Sequence, residues 1–283
     1  MKVFTEKQPL KAHLSNKKIE NKSIGFVPTM GALHKGHLSL IEEAKKKNDL
    51  VVVSIFVNPT QFDKEEDLVN YPKTFDKDKQ MLESIDCDVL FYPSVNEIYN
   101  NNISSDSFDF DGLEFKMEGK FRDGHFNGVG TIVKTLFEIV NPDVAYFGQK
   151  DFQQLQIIKK MVKKHNLKLK IKGCPIYRED DGLAMSSRNV RLNPSLREAA
   201  PFIYKTLKKA RKKFKTKSVE KVVSWVEKEF KEHSLLKLEY FTIAEEKTLE
   251  TIITKESDKK YRAFIAVFAG DIRLIDNIKL KQS

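Results

Sequence analysis

The stretch "IGFVPTMGALHKGHLSLIEEAKKKNDLVVVSIFV", from Ile24 to Val57, predicts how the first part of the chain folds. It begins with an apolar run that indicates a buried strand, and it ends with a β-branched run that is typical of a central parallel strand. Between them, apolar residues at positions 38, 40, 41 and 44 have the spacing of an amphipathic helix. A strand, helix and strand in this order predict a parallel sheet covered by helices.

The same alternation continues to about residue 175. Helices are predicted over residues 74–86, 128–140 and 151–166, and strands over residues 88–93, 143–148 and 167–176. The polar stretch at residues 96–110 predicts a loop that leads to an edge element. We therefore predict an α/β fold with a doubly wound parallel sheet over residues 1–175.

The pattern changes after Pro175. Residues 193–214 and 218–233 have helix patterns, and residues 237–249 and 261–278 have strand patterns, with no further alternation. Helices followed by strands predict a second, smaller α+β domain over residues 176–283.

Composition restricts the class of protein. The chain has 283 residues, of which 40% are hydrophobic and 32% charged, with a net charge of +10. The basic residues are spread along the chain among acidic ones, so the charge alone does not favour a nucleic-acid partner, and the basic run at residues 208–217 is interpreted as a solvated helix face. The apolar run from Leu50 to Val57 is too short to cross a membrane, which takes about 20 residues.

The two cysteines, Cys87 and Cys174, lie far apart and have no CxxC spacing. This disfavours both a disulfide framework and a structural zinc site. The first residues contain no apolar segment, so no secretory signal is expected. A reducing cytoplasm is the predicted location.

A histidine pair, His34 and His37, follows the first predicted strand and begins a predicted helix. Helix N-termini present unpaired N–H groups and a partial positive charge, which favour phosphate. Gly31 and Gly36 permit a tight turn and a close approach of backbone to ligand. Metal ligation would need a third ligand, which is not close in sequence. Packing in a core or on the surface also stays open.

Three further stretches carry polar side chains where a ligand could bind. These are "VNPTQF" at residues 57–62, "GQKDFQQ" at residues 148–154 and "DGLAMSSRN" at residues 181–189. Lysine, arginine and hydroxyl groups donate well to phosphate oxygens, and the amides suit a hydroxy acid. Each stretch alone also fits an ordinary surface turn. No P-loop, GxGxxG or GxSxG motif is present.

Taken together, the motifs carry a resemblance. "PTMGALHKGH" resembles the HxGH motif of the nucleotidyltransferase-like superfamily, and "AMSSRN" resembles its second signature loop. The order in which seven motifs occur resembles the pantoate–β-alanine ligase family over essentially the full chain: "VPTMGALHKGH", "VVVSIFVNPTQF", "YPKT", "GHFNGV", "FGQKDFQQL", "DGLAMSSRN" and "RLIDN".

This resemblance implies a function. Family members condense (R)-pantoate with β-alanine, and ATP becomes AMP and pyrophosphate through a pantoyl adenylate. They are cytoplasmic homodimers that need Mg²⁺, without nucleic-acid or membrane partners. The resemblance also implies that residues 1–175 form a Rossmann-like domain for ATP and pantoate, and that residues 176–283 form a lid. Two alternatives stay open: another adenylyl- or cytidylyltransferase of the superfamily, and a basic nucleic-acid-binding protein.

The resemblance assigns site residues by motif. Catalytic roles fall to His34, His37 (the proton donor), Lys150, Ser187 and Arg188. The implied ATP site comprises Met30, Gly31, Ala32, Leu33, His34, Lys35, Gly36, His37, Gly148, Gln149, Lys150, Asp151, Tyr177, Met185, Ser186, Ser187 and Arg188. Pantoate would bind Gln61 and Gln154, with Asn58 close by, and no protein residue is assigned as a metal ligand. Gln149 departs from the glutamate that the family often has there.

Overall fold

A computed structural model of the chain describes residues 1–62 and 65–281. The chain divides into two compact units, one of Met1–Gln149 with Gln153–Pro175 and one of Lys150–Phe152 with Ile176–Ser283. The last two residues of the predicted second domain lie outside the described residues. Residues 150–152 belong to the second unit although they lie within the sequence of the first. The predicted single boundary near residue 175 does not include this exchange.

The first unit is built on a parallel sheet whose strand order is β1-β4-β3-β2-β5-β6. The strands are β1 (Lys2–Phe4), β2 (Ile24–Thr29), β3 (Leu50–Ile55), β4 (Val89–Phe91), β5 (Val144–Gly148) and β6 (Lys170–Cys174). The predicted parallel sheet is confirmed. Because β2 lies between β3 and β5, the direction of winding changes at β2, and ligands of such sheets bind beyond the carboxyl ends of the strands at this point.

Seven helices of the described residues accompany this sheet. They are α1 (Lys7–Ile19), α2 (Lys35–Lys45), α3 (Glu65–Val69), α4 (Phe75–Glu83), α5 (Val95–Tyr99), α6 (His125–Val140) and α7 (Phe152–Lys164). Helix α2 buries Leu40, Ile41 and Ala44 in a cluster that also contains Val51 and Val53 of β3. The apolar spacing read from the sequence therefore marks the face of α2 that packs on the sheet.

The prediction for residues 96–110 is confirmed for residues 102–110, which form neither helix nor strand, and is wrong at the start of the stretch and about the edge element. Helix α5 occupies the start of this stretch, and the edge strands of the sheet are β1 and β6. The helix begins at Ser94, whose hydroxyl accepts a hydrogen bond from the Glu97 backbone N–H at 3.0 Å. Serine followed three residues later by glutamate is a helix-start signal that the asparagine-rich composition obscured.

The second unit contains the antiparallel sheet β7 (Leu236–Glu245), β8 (Tyr261–Ala269) and β9 (Ile272–Leu280), in that order. Its helices are α8 (Pro194–Ala199), α9 (Phe202–Phe214) and α10 (Val219–Lys231). The predicted α+β class is confirmed. The single helix pattern over residues 193–214 is broken at Pro201, because proline has no backbone N–H to continue a helix.

The basic run at residues 208–217 lies on a helix as far as Phe214, as predicted, and residues 215–217 follow the end of that helix. Helix α9 buries Leu207, Ala210 and Phe214, whereas Lys208 and Lys212 are exposed. Among the described residues, no helix combines the length and the apolar character that a membrane span requires.

Candidate functional site

The chain makes a tight turn between β2 and α2. The Thr29 hydroxyl donates to the Ser54 carbonyl at 2.8 Å, and the Gly31 N–H donates to the Thr29 hydroxyl oxygen at 3.2 Å. Gly31 has a φ of +83°, and a Cβ there would lie 3.0 Å from Asp78 Oδ2. Glycine is therefore required at this position both for the backbone conformation and for space.

Asp78, at the first turn of α4, holds this loop in place. Its side chain is 1% exposed, and its carboxylate accepts hydrogen bonds from the backbone N–H of Ala32 at 2.9 Å and of Leu33 at 2.7 Å. The Thr74 hydroxyl donates to the same carboxylate at 3.2 Å. Charge-assisted bonds of this kind are strong. The sequence analysis missed Asp78 because an acid in the first turn of a helix is common and is usually exposed.

The histidine pair forms a reciprocal helix cap. His34 Nδ1 accepts a hydrogen bond from the Gly36 N–H at 3.1 Å, and His37 Nδ1 accepts one from the His34 N–H at 3.3 Å. The two rings stack with their centroids 4.0 Å apart. Because each Nδ1 uses its lone pair as an acceptor, the proton of each neutral ring lies on Nε2. Both rings are therefore donors through Nε2.

The hydrogen bonds of this cap affect whether His34 and His37 could act as metal ligands. The Nδ1 atoms of both histidines already accept backbone hydrogen bonds. Within residues 1–62 and 65–281, no group of three or more His, Cys, Asp or Glu side chains could hold a metal ion. With both Nδ1 atoms accepting in this way, the neutral rings act as donors through Nε2, which suits an anion at the helix start.

The amide turn that follows β3 contains Asn58 and Gln61. Asn58 is 1% exposed, its amide nitrogen donates to the Gly128 carbonyl at 3.1 Å, and its amide oxygen accepts from the Tyr99 hydroxyl at 2.5 Å. Gln61 is half-buried, and its amide nitrogen contacts the Met30 sulfur. Both ends of the Asn58 amide are therefore used to close the turn, whereas the Gln61 amide reaches Met30 in the histidine loop, which runs from Met30 to His34.

Two residues of the "GHFNGV" region fix the backbone at Gln61. His125 Nδ1 lies 2.8 Å from the Gln61 carbonyl oxygen, and an Arg122 guanidinium nitrogen donates to the same oxygen at 3.2 Å. His125 is buried. In the sequence, the "GHFNGV" motif could be noticed only through the family resemblance. A contact between residues more than sixty positions apart leaves no local pattern.

Gly128→Ala is expected to destabilise the protein by at least about 3 kcal/mol, at the upper end of what overpacking costs. A Cβ at Gly128 would overlap the Thr60 carbonyl oxygen, so α6 must move away from the amide turn. Urea unfolding measures the effect. Gly112→Ala is the control, since its added methyl meets no atom within 4 Å and costs only about 1 kcal/mol for its positive φ. Equal losses in the two variants would contradict the steric account.

The third part of the first unit's candidate site lies at the end of β5. Gly148 is the last residue of this strand, and the Gln149 amide nitrogen donates to the Gly173 carbonyl of β6 at 3.3 Å. A glutamate at position 149 could not make this bond while ionised, because a carboxylate has no donor. Gln154 is half-buried in the first turn of α7, beside the buried Gln153.

The first unit thus brings three of the four predicted stretches to one edge of its sheet. Strands β3, β2 and β5 are neighbours and parallel, so the residues that follow them lie at the same edge. These residues are Met30 to His37, Asn58 to Gln61, and Gly148 with Gln149. This is the edge at which the winding changes, where a ligand is expected.

The second unit contains the remaining predicted residues. The Lys150 ammonium group lies 3.6 Å from Asp151, and the Lys150 carbonyl accepts a hydrogen bond from the Asn277 amide at 2.8 Å. Lys150, Ser186 and Asp276 line a small cavity together with apolar side chains. The lysine and the hydroxyl group can donate to an anion, and the Asp276 carboxylate is paired with Arg178.

The signature loop of this unit is a short hairpin followed by a 3-10 turn at Ser187–Arg191. The Met185 N–H donates to the Tyr177 carbonyl at 3.0 Å. The Tyr177 carbonyl therefore has a hydrogen-bond partner within the hairpin. The Ser186 hydroxyl oxygen accepts from the Arg188 N–H at 3.2 Å, and the Arg188 guanidinium donates to a backbone carbonyl of β9 at 3.4 Å. Backbone and side-chain bonds therefore shape the loop that carries the predicted serines and arginine.

The two cysteines do not offer a nucleophile. Both are buried and unpaired. Burial disfavours the thiolate and raises the pKa of Cys87 to about 12 and that of Cys174 to about 11. Both thiols therefore stay protonated near neutral pH.

Comparisons with known proteins show the family to which the chain belongs. The family model for pantoate–β-alanine ligase matches residues 2–279. The pantothenate synthetase of Christiangramia forsetii is 56% identical over 281 residues, which is 99% of each chain. That of Bacteroides fragilis is 48% identical over 283 residues, with full coverage of both chains.

Two solved structures are also similar to the chain. Pantothenate synthetase from Thermus thermophilus has a TM-score of 0.91 at 37% identity and covers 99% of both chains. Pantoate–β-alanine ligase from Francisella tularensis, complexed with β,γ-ATP and β-alanine, has a TM-score of 0.81 at 38% identity and covers 99% of this chain and 97% of its own. The chain belongs to the pantoate–β-alanine ligase family.

Proposed function

We propose that this ligase joins (R)-pantoate to β-alanine in two steps through a pantoyl adenylate, with ATP as the co-substrate. The observation that carries the proposal is the reciprocal histidine cap, because it presents two Nε2–H donors at a helix N-terminus beside the edge where the sheet changes winding. The relative from Francisella tularensis was solved with an ATP compound and β-alanine, which agrees with these substrates.

In the first step, a carboxylate oxygen of pantoate attacks the α-phosphorus of ATP. The bond between this phosphorus and the α,β-bridging oxygen breaks, and pyrophosphate leaves. His34 and His37 donate through Nε2 to the phosphate oxygens, and Lys150, Ser187 and Arg188 stabilise the departing pyrophosphate. No side chain forms a covalent intermediate, so the protein contributes position and charge.

In the second step, the amine of β-alanine attacks the acyl carbon of the pantoyl adenylate. The bond from this carbon to the phosphate-bridging oxygen breaks, so AMP leaves with that oxygen. As the amide forms, the attacking nitrogen passes a proton to the departing AMP phosphate or to water, which balances the step. The resemblance assigns His37 as a proton donor, and in the neutral ring Nε2 is the nitrogen that carries the proton.

Mg²⁺ enters this proposal with the nucleotide. The described residues hold no cluster of three or more acidic, histidine or cysteine ligands. Mg²⁺ commonly binds substrate phosphates and keeps several waters instead of filling a cage of protein ligands. When bound, the ion neutralises phosphate charge.

Gln61→Ala is expected to raise the pantoate KM at least about tenfold, since a site built on hydrogen bonds loses affinity when a donor is removed. The Gln61 amide contacts Met30 of the histidine loop, and its backbone is held independently by His125. Initial rates at saturating ATP and β-alanine measure the effect. Gln8→Ala, the same truncation at an exposed position of α1, is the control. An unchanged pantoate KM would remove Gln61 from the acid site.

An omission assay tests the proposed function. AMP is expected when pantoate, β-alanine and Mg-ATP are all present. When β-alanine is left out, exchange of labelled pyrophosphate into ATP is expected in the presence of pantoate. Another adenylyl- or cytidylyltransferase of the superfamily would leave the nucleotide on its product. Salt-sensitive binding to a polynucleotide without nucleotide turnover would favour a nucleic-acid-binding protein.

A cytoplasmic location and a homodimer are further parts of the proposal. The unpaired, buried Cys87 and Cys174 support a reducing compartment. The homodimer and the lid role of residues 176–283 rest on the resemblance alone. Besides a second copy of the chain, the partners that the proposal requires are small-molecule substrates.

A further inference from the structure

Two polar residues lie buried side by side on β9, and the mechanism above does not use them. Asp276 is 4% exposed and Asn277 is 1% exposed. They belong to the "RLIDN" motif, for which the sequence suggested no role. Burying a carboxylate and an amide is costly unless both are fully hydrogen-bonded. Their partners therefore indicate what they do.

Asn277 connects β9 to the backbone of Lys150. Its amide nitrogen donates to the Lys150 carbonyl at 2.8 Å, and its amide oxygen accepts from the Arg262 guanidinium at 2.6 Å. Because arginine can only donate, the oxygen of the amide must face Arg262 and the nitrogen must face Lys150. All three residues belong to the second unit.

Arg262 is itself held on two sides. Its guanidinium donates to Glu246 from Nε at 3.0 Å and from Nη2 at 2.8 Å, and its central carbon lies 4.1 Å from the centroid of the Phe152 ring. Arg262 is buried. Asn277 and Arg262 therefore hold the two ends of the Lys150–Phe152 segment. Asn277 binds the Lys150 carbonyl, and Arg262 packs on the Phe152 ring.

Asp276 anchors the start of the signature loop. It forms a two-pronged ion pair with Arg178, at 2.7 and 2.8 Å, and accepts the Asn277 backbone N–H at 2.7 Å. Arg178 also stacks on the Tyr204 ring at 3.6 Å and lies opposite Ala184 in the hairpin of the loop. Asp276 and Asn277 are neighbours on β9. They thus hold the two segments of the second unit that carry the residues proposed to bind phosphate.

We propose that Asn277 is a positioning residue for adenylation, which fixes the backbone of Lys150 so that its ammonium group meets the phosphates. This inference rests on the proposed function of Lys150. A lysine side chain has several rotatable bonds, so a fixed backbone is what restricts the volume its ammonium group can reach. Displacement of a catalytic group by about 1 Å can lower a rate about a hundredfold.

Asn277→Asp tests the inference sharply. Aspartate keeps an oxygen for Arg262 but places a second oxygen against the Lys150 carbonyl, where the donor is lost. We expect the single-turnover rate of pantoyl adenylate formation to fall at least about tenfold. Hydrogen exchange of peptides covering residues 149–153 should accelerate by a similar factor, with the α10 peptides unchanged. Asn193→Asp is the matched control, because its exposed side chain caps α8 by accepting from the Leu196 N–H, which aspartate also does.

Two further variants make the result decisive. Asn277→Ser removes the amide donor without adding charge, and it replaces Asn277→Asp if that protein does not fold. In a Lys150→Ala background, Asn277→Asp should cause no further loss of adenylation rate, because both changes remove the same interaction. Unchanged adenylation and exchange in Asn277→Asp, or losses that multiply in the double variant, would overturn the inference. Near-normal adenylation by Lys150→Ala alone would instead overturn the proposed function of Lys150, and the inference with it.

Discussion

Lys150→Ala is expected to lower the single-turnover rate of pantoyl adenylate formation at least about a hundredfold, because one donor to developing charge typically contributes about 3 kcal/mol. Folding should be unaffected. The contact that fixes this residue uses its backbone carbonyl, which alanine keeps. The ion pair with Asp151 is partly exposed at 3.6 Å and contributes at most about 1 kcal/mol.

Quenched-flow detection of pyrophosphate release at saturating ATP and pantoate measures this rate. Lys163→Ala removes an exposed lysine from α7 and serves as the control. We expect the control to react as fast as the unchanged protein. A Lys150→Ala protein that releases pyrophosphate at nearly the normal rate would exclude Lys150 from the catalytic group.

Asp78→Asn is expected to lower the free energy of unfolding by about 2 to 4 kcal/mol, since buried bonds to a charged acceptor are lost and a buried donor is left facing another donor. The carboxylate accepts from Ala32, Leu33 and Thr74 within the first unit. An amide nitrogen in place of either oxygen would face a backbone N–H. The histidine loop should then shift, and the ATP KM should rise at least about tenfold.

Urea unfolding and initial rates measure the two effects of Asp78→Asn. The matched control is Asp76→Asn, the same change at an exposed position of α4. Its stability should stay within about 0.5 kcal/mol of the unchanged protein. If Asp78→Asn behaved as this control does in both measurements, Asp78 would not hold the loop.

Much of the fold follows from apolar spacing. The strands around Val52 and Ala145 are apolar on both faces because they lie inside the sheet, and this made them visible in the sequence. The first strand and helix, β1 and α1, were not predicted. Helix α1 buries only Leu10 and Leu14, so its periodic signal is weak.

The site could be predicted only in part, because some of its contacts join residues that are far apart in sequence. A strand, a turn and a helix in succession locate the histidine pair, and the phosphate role proposed for it rests on helix-terminus chemistry. Local sequence does not show which distant side chain holds a loop. Asp78 bonds to Ala32 across 46 residues, and Asn277 bonds to Lys150 across 127 residues. Such contacts exist only once the chain is folded.

The most direct test of the adenylate route follows one oxygen atom. Pantoate labelled with ¹⁸O in its carboxylate is turned over with β-alanine and Mg-ATP, and the products are analysed by mass spectrometry. We predict that each AMP carries one ¹⁸O in its phosphate, because the attacking carboxylate oxygen stays on the α-phosphorus when the amide forms. Unlabelled AMP, or label in phosphate or pyrophosphate, would contradict adenylation of pantoate.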